Sequence, residues 1–188
     1  MKLTDYLLTA PTAEPVTPAE VKVSARIDAD ITAFDLLIPM YITAAREQAE
    51  QETERCLMPQ TWRAELDGWD WEVTLKASPF IELTGIEYHD GTGWVPAPAN
   101  LYEPLLSMDG KVVLARTNEP APVLAAKAGA RVRVTYSAGY GTALPKSAKQ
   151  WIIAQASHWI NHPEAANERA LTVSPFLDRL LDPLRTWG

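Results

Sequence analysis

Residues 139–147 read GYGTALPKS, a Lys-Ser pair set behind glycines at the start of a helix, which is how nucleotide-binding loops cradle phosphate. Such a loop requires glycine directly before its lysine so that backbone N–H groups can wrap the phosphate. Pro145 stands there instead, with a fixed φ and no N–H. The segment is a turn entering a helix, not a nucleotide site. Of the three histidines, His89, His158 and His162, only the last two share a four-residue helical spacing, and no Glu-Xaa-Xaa companion completes a metalloprotease motif. Glu47, Glu50, Glu52 and Glu54 offer carboxylates of the type a hydrolase pairs, but they stand among Arg and Gln on what reads as a solvated or interfacial helix face. Nothing supplies the apolar pocket that would raise the pKa of one of them. Cys56 is the single cysteine, which excludes an internal disulfide and a cysteine-based zinc site. No catalytic residue, metal or cofactor is expected.

Seven tryptophans stand at 62, 69, 71, 94, 151, 159 and 187. Trp69, Trp71 and Trp94 lie near turns and could form a stacking platform for sugars or bases, although aromatic residues at strand ends ordinarily fill cores and interfaces. Trp151 and Trp159 are explained by helical spacing alone.

The elements that must position these residues follow from periodicity. Thr17-Pro18-Ala19-Glu20 is a capping box with proline at the first helical position, with Val16 placed to staple onto Val21; this helix reaches about Ala25. Asp28 or Asp30 can cap a second helix that carries Ile31, Phe34, Ile38, Tyr41, Ala45, Ala49 and Cys56 on one face and Arg46, Glu47, Glu50, Gln51 and Glu54 on the other. Pro39 imposes a kink or a restart around 37–40. From Gln60 the pattern turns to short alternating runs, at 62–66, 71–75, 86–89, 111–114 and 131–136, with turn signals at Asp67-Gly68 and Asp90-Gly91-Thr92-Gly93. This predicts a small antiparallel sheet, with the proline-rich stretches at 96–104 and 120–129 as irregular loops. After the glycine turn at 139–141, Ala148, Trp151, Ile152, Gln155, Trp159 and Ile160 form one stripe of a helix ending near Asn161. A last short helix is capped by Ser174, begun by Pro175 and stopped by Pro183, with Phe176, Leu177, Leu180 and Leu181 as its apolar face.

The expected architecture is α+β: a helical bundle built from N- and C-terminal helices (17–58 and 145–188), a small antiparallel sheet inserted between them (60–137), and a flexible N-terminal arm (1–16). A length of 188 residues suits one domain with a substantial core. At 47% hydrophobic and 22% charged residues, with a mean hydropathy of −0.14, the chain has the composition of a globular protein. No run approaches the roughly 20 apolar residues of a membrane span, and the N-terminus lacks a secretory apolar stretch, so the chain is expected to be made and kept inside a cell, at least at first. A net charge of −7 opposes a surface that grips nucleic acid, yet it permits a wall past which DNA slides.

Three segments, AEPVTPAEVKVSARID (13–28), TAAREQAEQETERCLMPQTW (43–62) and VTYSAGYGTALPKSAKQWIIAQASHW (134–159), together with the closing SPFLDRLLDPLRTW, resemble the head-tail connector proteins of long-tailed bacteriophages and prophages, also described as DNA packaging or head completion adaptors. The resemblance covers about residues 13–188 and rests on the order and spacing of the segments. It implies a structural, non-enzymatic virion protein: a homo-oligomeric, dodecameric ring that docks on the phage portal protein, receives a downstream connector or tail protein, and borders a channel through which DNA passes without tight or sequence-specific binding. It implies no membrane partner, assembly in the host cytoplasm and final residence in the virion neck. The residues expected at oligomer or partner interfaces are Tyr41, Arg46, Glu50, Trp151, Trp159, Phe176, Leu177, Leu180, Leu181, Arg185 and Trp187, with the segment 174–187 reaching the portal. Two other classes stand beside it. One is a tail-associated binding module that uses Trp69, Trp71 and Trp94 to engage a carbohydrate or another virion protein; the other is a hydrolase using the carboxylates of 47–54.

Overall fold

The structure, a computed structural model, describes residues 2–107, 110–126, 129–162, 177 and 179–185. Among these the chain forms eight strands and three α-helices, and it divides into two compact units. Met1–Thr12 and Pro59–Tyr140 make the first; Ala13–Met58 and Gly141–Gly188 make the second.

The first unit is all β. A five-stranded antiparallel sheet has the order β1 (Lys2–Thr9), β2 (Gln60–Leu66), β8 (Val132–Ala138), β4 (Phe80–His89), β5 (Trp94–Pro96). A three-stranded sheet has the order β3 (Glu72–Thr74), β7 (Val112–Arg116), β6 (Tyr102–Leu106). Strand β8 pairs on both sides, with Val134 opposite Ala64 and Ile86, and its Val132, Val134, Tyr136 and Ala138 are buried while the residues between them are half-exposed. The strict alternation read from the sequence is thus the inside-outside pleat of a central strand. The buried Tyr136 hydroxyl donates to Asp5 Oδ1 (3.3 Å) and accepts from the Ala77 N–H (3.1 Å), so its polar tip is satisfied inside the core.

The α+β class stands, but its balance differs from expectation: the chain is β-rich instead of a helical bundle with a small insert. Two strands account for much of the difference. Residues 2–9, expected in a flexible arm, are an edge strand paired antiparallel to β2 with Asp5 opposite Ala64. Their partner lies some sixty positions away, beyond the reach of local periodicity. Residues 102–106 read as loop because of Pro104, yet β6 is the edge of its sheet, where a missing N–H breaks no ladder bond.

The second unit is helical. Helix α1 (Pro18–Ser24) has the expected capping box: Thr17 Oγ1 accepts from the Glu20 N–H (3.3 Å) and Glu20 Oε2 accepts from the Thr17 N–H (2.6 Å). Those bonds to Thr17 hold the Glu20 carboxyl below its ordinary pKa. Helix α2 (Leu37–Thr53) begins where Pro39 required a restart, with the proline in the first turn, and residues 28–36 form turns instead of the helical start expected from Ile31 and Phe34. Helix α3 (Lys146–Asn161) follows a 3-10 turn (Gly141–Ala143) and takes Pro145 as its N-cap. Alanines 45 and 49 on α2 and 148 and 156 on α3 are fully buried, and such small side chains let packed helices come close. No helix among the described residues is long and apolar enough to cross a membrane.

Candidate assembly surfaces

Helix α2 holds much of the helical unit together by charge as well as by packing. Arg46, expected on the solvated face with Glu47 and Glu50, is buried instead: its Nε meets Glu14 Oε2 at 2.9 Å, one terminal nitrogen meets Glu50 Oε2 at 2.7 Å and the other Glu47 Oε1 at 3.5 Å. Glu14 also accepts from the Thr43 hydroxyl (2.8 Å), and Glu50 from the Leu57 N–H (2.8 Å). Burial by itself would pull the pKa of Arg46 down; the charges of Glu50 and Glu14 outweigh it and leave the guanidinium above its usual value. A long apolar stem carries the charge inward, where a hydrophobic-face reading of the helix does not look for it. At the C-terminal end of α2, Glu52 meets Arg185 (3.5 Å), which also pairs with Asp182 (3.1 Å) in the 3-10 turn Asp182–Leu184 that contains Pro183.

The expected interface residues fall into three sets. Trp151, Leu181 and Arg46 are buried in the subunit, and Glu50, half-buried, pairs with Arg46, so their first role is to hold this chain together. Tyr41, Trp159, Leu177, Leu180 and Arg185 are half-buried and keep surface available; the rings of Tyr41 and Trp159 lie 6.0 Å apart, joining α2 to α3. Phe176 and Trp187, with most of the predicted helix from Ser174, lie outside the described residues.

Each of the three tryptophans considered for a stacking platform has a partner within the chain. Trp69 donates to the Pro122 carbonyl (2.8 Å) and packs at a tilt on Tyr88 and Tyr102, whose own hydroxyl donates to the Asp70 carbonyl (2.6 Å) and whose pKa burial pushes up to about 12. Trp94 lies beneath the Arg133 guanidinium at 3.8 Å and edge-on to His89, while Trp71 carries Arg116 at 4.9 Å. Guanidinium groups of the chain itself stand over the latter two rings. His158 and His162 are ring neighbours at 4.9 Å, and among the described residues no group of three or more His, Cys, Asp or Glu could hold a metal ion.

A surface that sequence reasoning missed lies around α1. Its Lys22 is 9% exposed, whereas the adjacent Val23 is 79% exposed. The Lys22 ammonium pairs with Asp35 (2.6 Å) and donates to the Ile31 carbonyl (2.7 Å), clipping residues 29–35 against the helix. Leu36 (87% exposed) and Met40 (65%) follow directly, with Ile31 and Leu37 also exposed. The signal was legible as Leu36-Leu37 before Pro39, apolar residues in a segment that starts a helix, but only burial reveals which of them stay outside.

Solved structures share this fold over nearly the whole chain. A chain in the neck of an empty gene transfer agent (GTA) particle, computed with C6 symmetry, superposes with a TM-score of 0.80 at 24% identity, over 99% of this chain and 97% of that one. The chain shares its fold with neck components. A chain in the virion of a native GTA particle aligns with a TM-score of 0.76, and one in the neck of a native GTA particle computed with C12 symmetry with 0.69, both at 22% identity and with the same coverage. No family model and no curated protein matches the chain.

Proposed function

We propose that this chain is a structural subunit of a virion neck, a head-tail connector that closes into a ring between the portal vertex and the next connector or tail protein. The single observation that carries this reading is the full-length likeness to chains in GTA necks, whose symmetry is rotational. The likeness spans both the β-rich unit and the helical unit. In a closed ring each subunit offers one face to a different face of its neighbour, so modest contacts repeat around the circle. The half-buried Tyr41, Trp159, Leu177, Leu180 and Arg185 contribute to those contacts or to the portal, and the ring surrounds the DNA path. A net charge of −7 suits that position, because an acidic wall repels the polyanion and lets it slide. The role is mechanical: the subunit transfers load and seals a channel, and it needs no nucleophile or cofactor. Assembly occurs in the host cytoplasm and the product stays in the neck.

The test uses DNA-filled heads made without this chain. Added full-length protein should bind at the portal vertex as a ring visible by electron microscopy and restore tail joining. Heads that join tails equally well without it, or protein that never binds them, would overturn the reading.

A further inference from the structure

Helix α1 departs from an ordinary surface helix: Val21 is buried, but Lys22 is buried with it and Val23 faces solvent. Two shallow grooves meet along this exposed side, sharing Ala19 and Val23. One, of about 440 Å³, runs between Ala19, Lys22, Val23, Ile27, Ala29 and Asp35; the other, of about 430 Å³, continues past Val23 toward Gln150 and Ile153 of α3. The two charged side chains lining the first groove, Lys22 and Asp35, neutralise each other at 2.6 Å. The first groove is thus charge-paired; the second also carries Glu20, whose carboxylate accepts from the Thr17 N–H and hydroxyl in the capping box, and the exposed Leu36, Leu37 and Met40 follow in sequence. Exposed apolar side chains beside a charge-paired groove are of the kind that contact surfaces use.

Resting on the ring reading above, we propose that the α1 grooves and the Leu36–Met40 turn are the face by which one copy of this chain packs against the next. Charge selects the occupant. Each copy carries a net −7, so acidic surfaces on neighbouring copies repel, whereas a face whose ion pair is internal, as in the first groove, meets no such repulsion. Rotational symmetry supplies the second requirement, because every copy of a closed ring must cover such a face with a different face of its neighbour.

Incorporating a photo-crosslinking benzophenone residue in place of Leu36 in the full-length chain tests this on heads that lack the native protein. Irradiation of head-bound chain should give a ladder at multiples of the chain mass, with crosslinked peptides joining two copies. Crosslinks confined to a different virion protein, or none while the chain is bound, overturn the inference and leave the neck reading standing. Failure of the wild-type chain to bind heads at all overturns the neck reading itself. Met40→Asp provides the second arm: an acid in the first turn of α2 favours the helix, so the subunit should melt as wild type, whereas head-bound copies should fall at least about tenfold. Unchanged occupancy by the Met40→Asp chain would also overturn the inference.

Discussion

Helices α1 and α3 belong to the same unit and treat their apolar residues in opposite ways. Helix α3 buries Ala148, Trp151, Ile152 and Ile160 of the stripe its spacing announces, leaves Gln155 and Trp159 half-exposed, and turns polar residues such as Gln150 outward. Helix α1 buries Val21 together with Lys22 and turns Val23 to solvent. Burial of Lys22 is tolerable because its ammonium has both an anion and a carbonyl within 2.7 Å. The difference teaches that α3 belongs to the interior of the subunit. On the reading proposed here, α1 belongs to its exterior and to the copy beside it.

That contrast can be broken by substitution, and the largest effect should fall on α3. Trp151→Ala removes a fully buried indole and is expected to cost about 4 kcal/mol, read as a lower midpoint in urea unfolding with unchanged slope. A loss under about 1 kcal/mol would mean that α3 is not the core helix described here. Lys22→Ala should come next, at about 2 kcal/mol. It strips the Ile31 carbonyl of its donor, while the half-exposed Asp35 recovers water. Hydrogen exchange should localise that loss to residues 27–35, leaving α3 protected.

Acidification should weaken α1. The pKa of Glu20 is depressed in the folded chain, so its contribution is fully present above its ordinary value of 4.5 and is lost as pH falls through the lower folded value. Water screens this exposed carboxylate, so the effect is about 0.5 kcal/mol, measurable as the pH dependence of stability of wild type against Glu20→Gln. Val23→Asp should shift subunit stability least, by no more than about 0.5 kcal/mol in thermal melts, because the side chain it replaces faces water. A large loss of fold would show that Val23 is a packing residue and would erase the distinction between the two helices.

Local chemistry wrote much of this architecture in advance. The capping box at Thr17, the restart at Pro39, the alternation of β8 and the stripe of α3 all depend on residues within a turn or two of one another, and each lies close to where its spacing indicated. The expected interface residues were less legible. Trp151 and Leu181 look like any apolar residues on a helix until the rest of the chain covers them, and Arg46 reads as a surface charge until Glu14, thirty-two positions earlier, is folded beside it. The edge strand β1 was hidden for the same reason, since a strand at a sheet edge is defined by its distant neighbour.

The amino-acid order by itself determined the helix starts, the central strand, the acidic balance and the lack of a recognisable catalytic constellation, because these rest on short-range sterics, hydrogen bonding and net charge. Only the tertiary structure decided the β-rich balance, the inward turn of Lys22 and Arg46, and the outward turn of Val23, Leu36 and Met40. Which side of an element faces water is a property of everything packed around it, and no window along the chain contains that information.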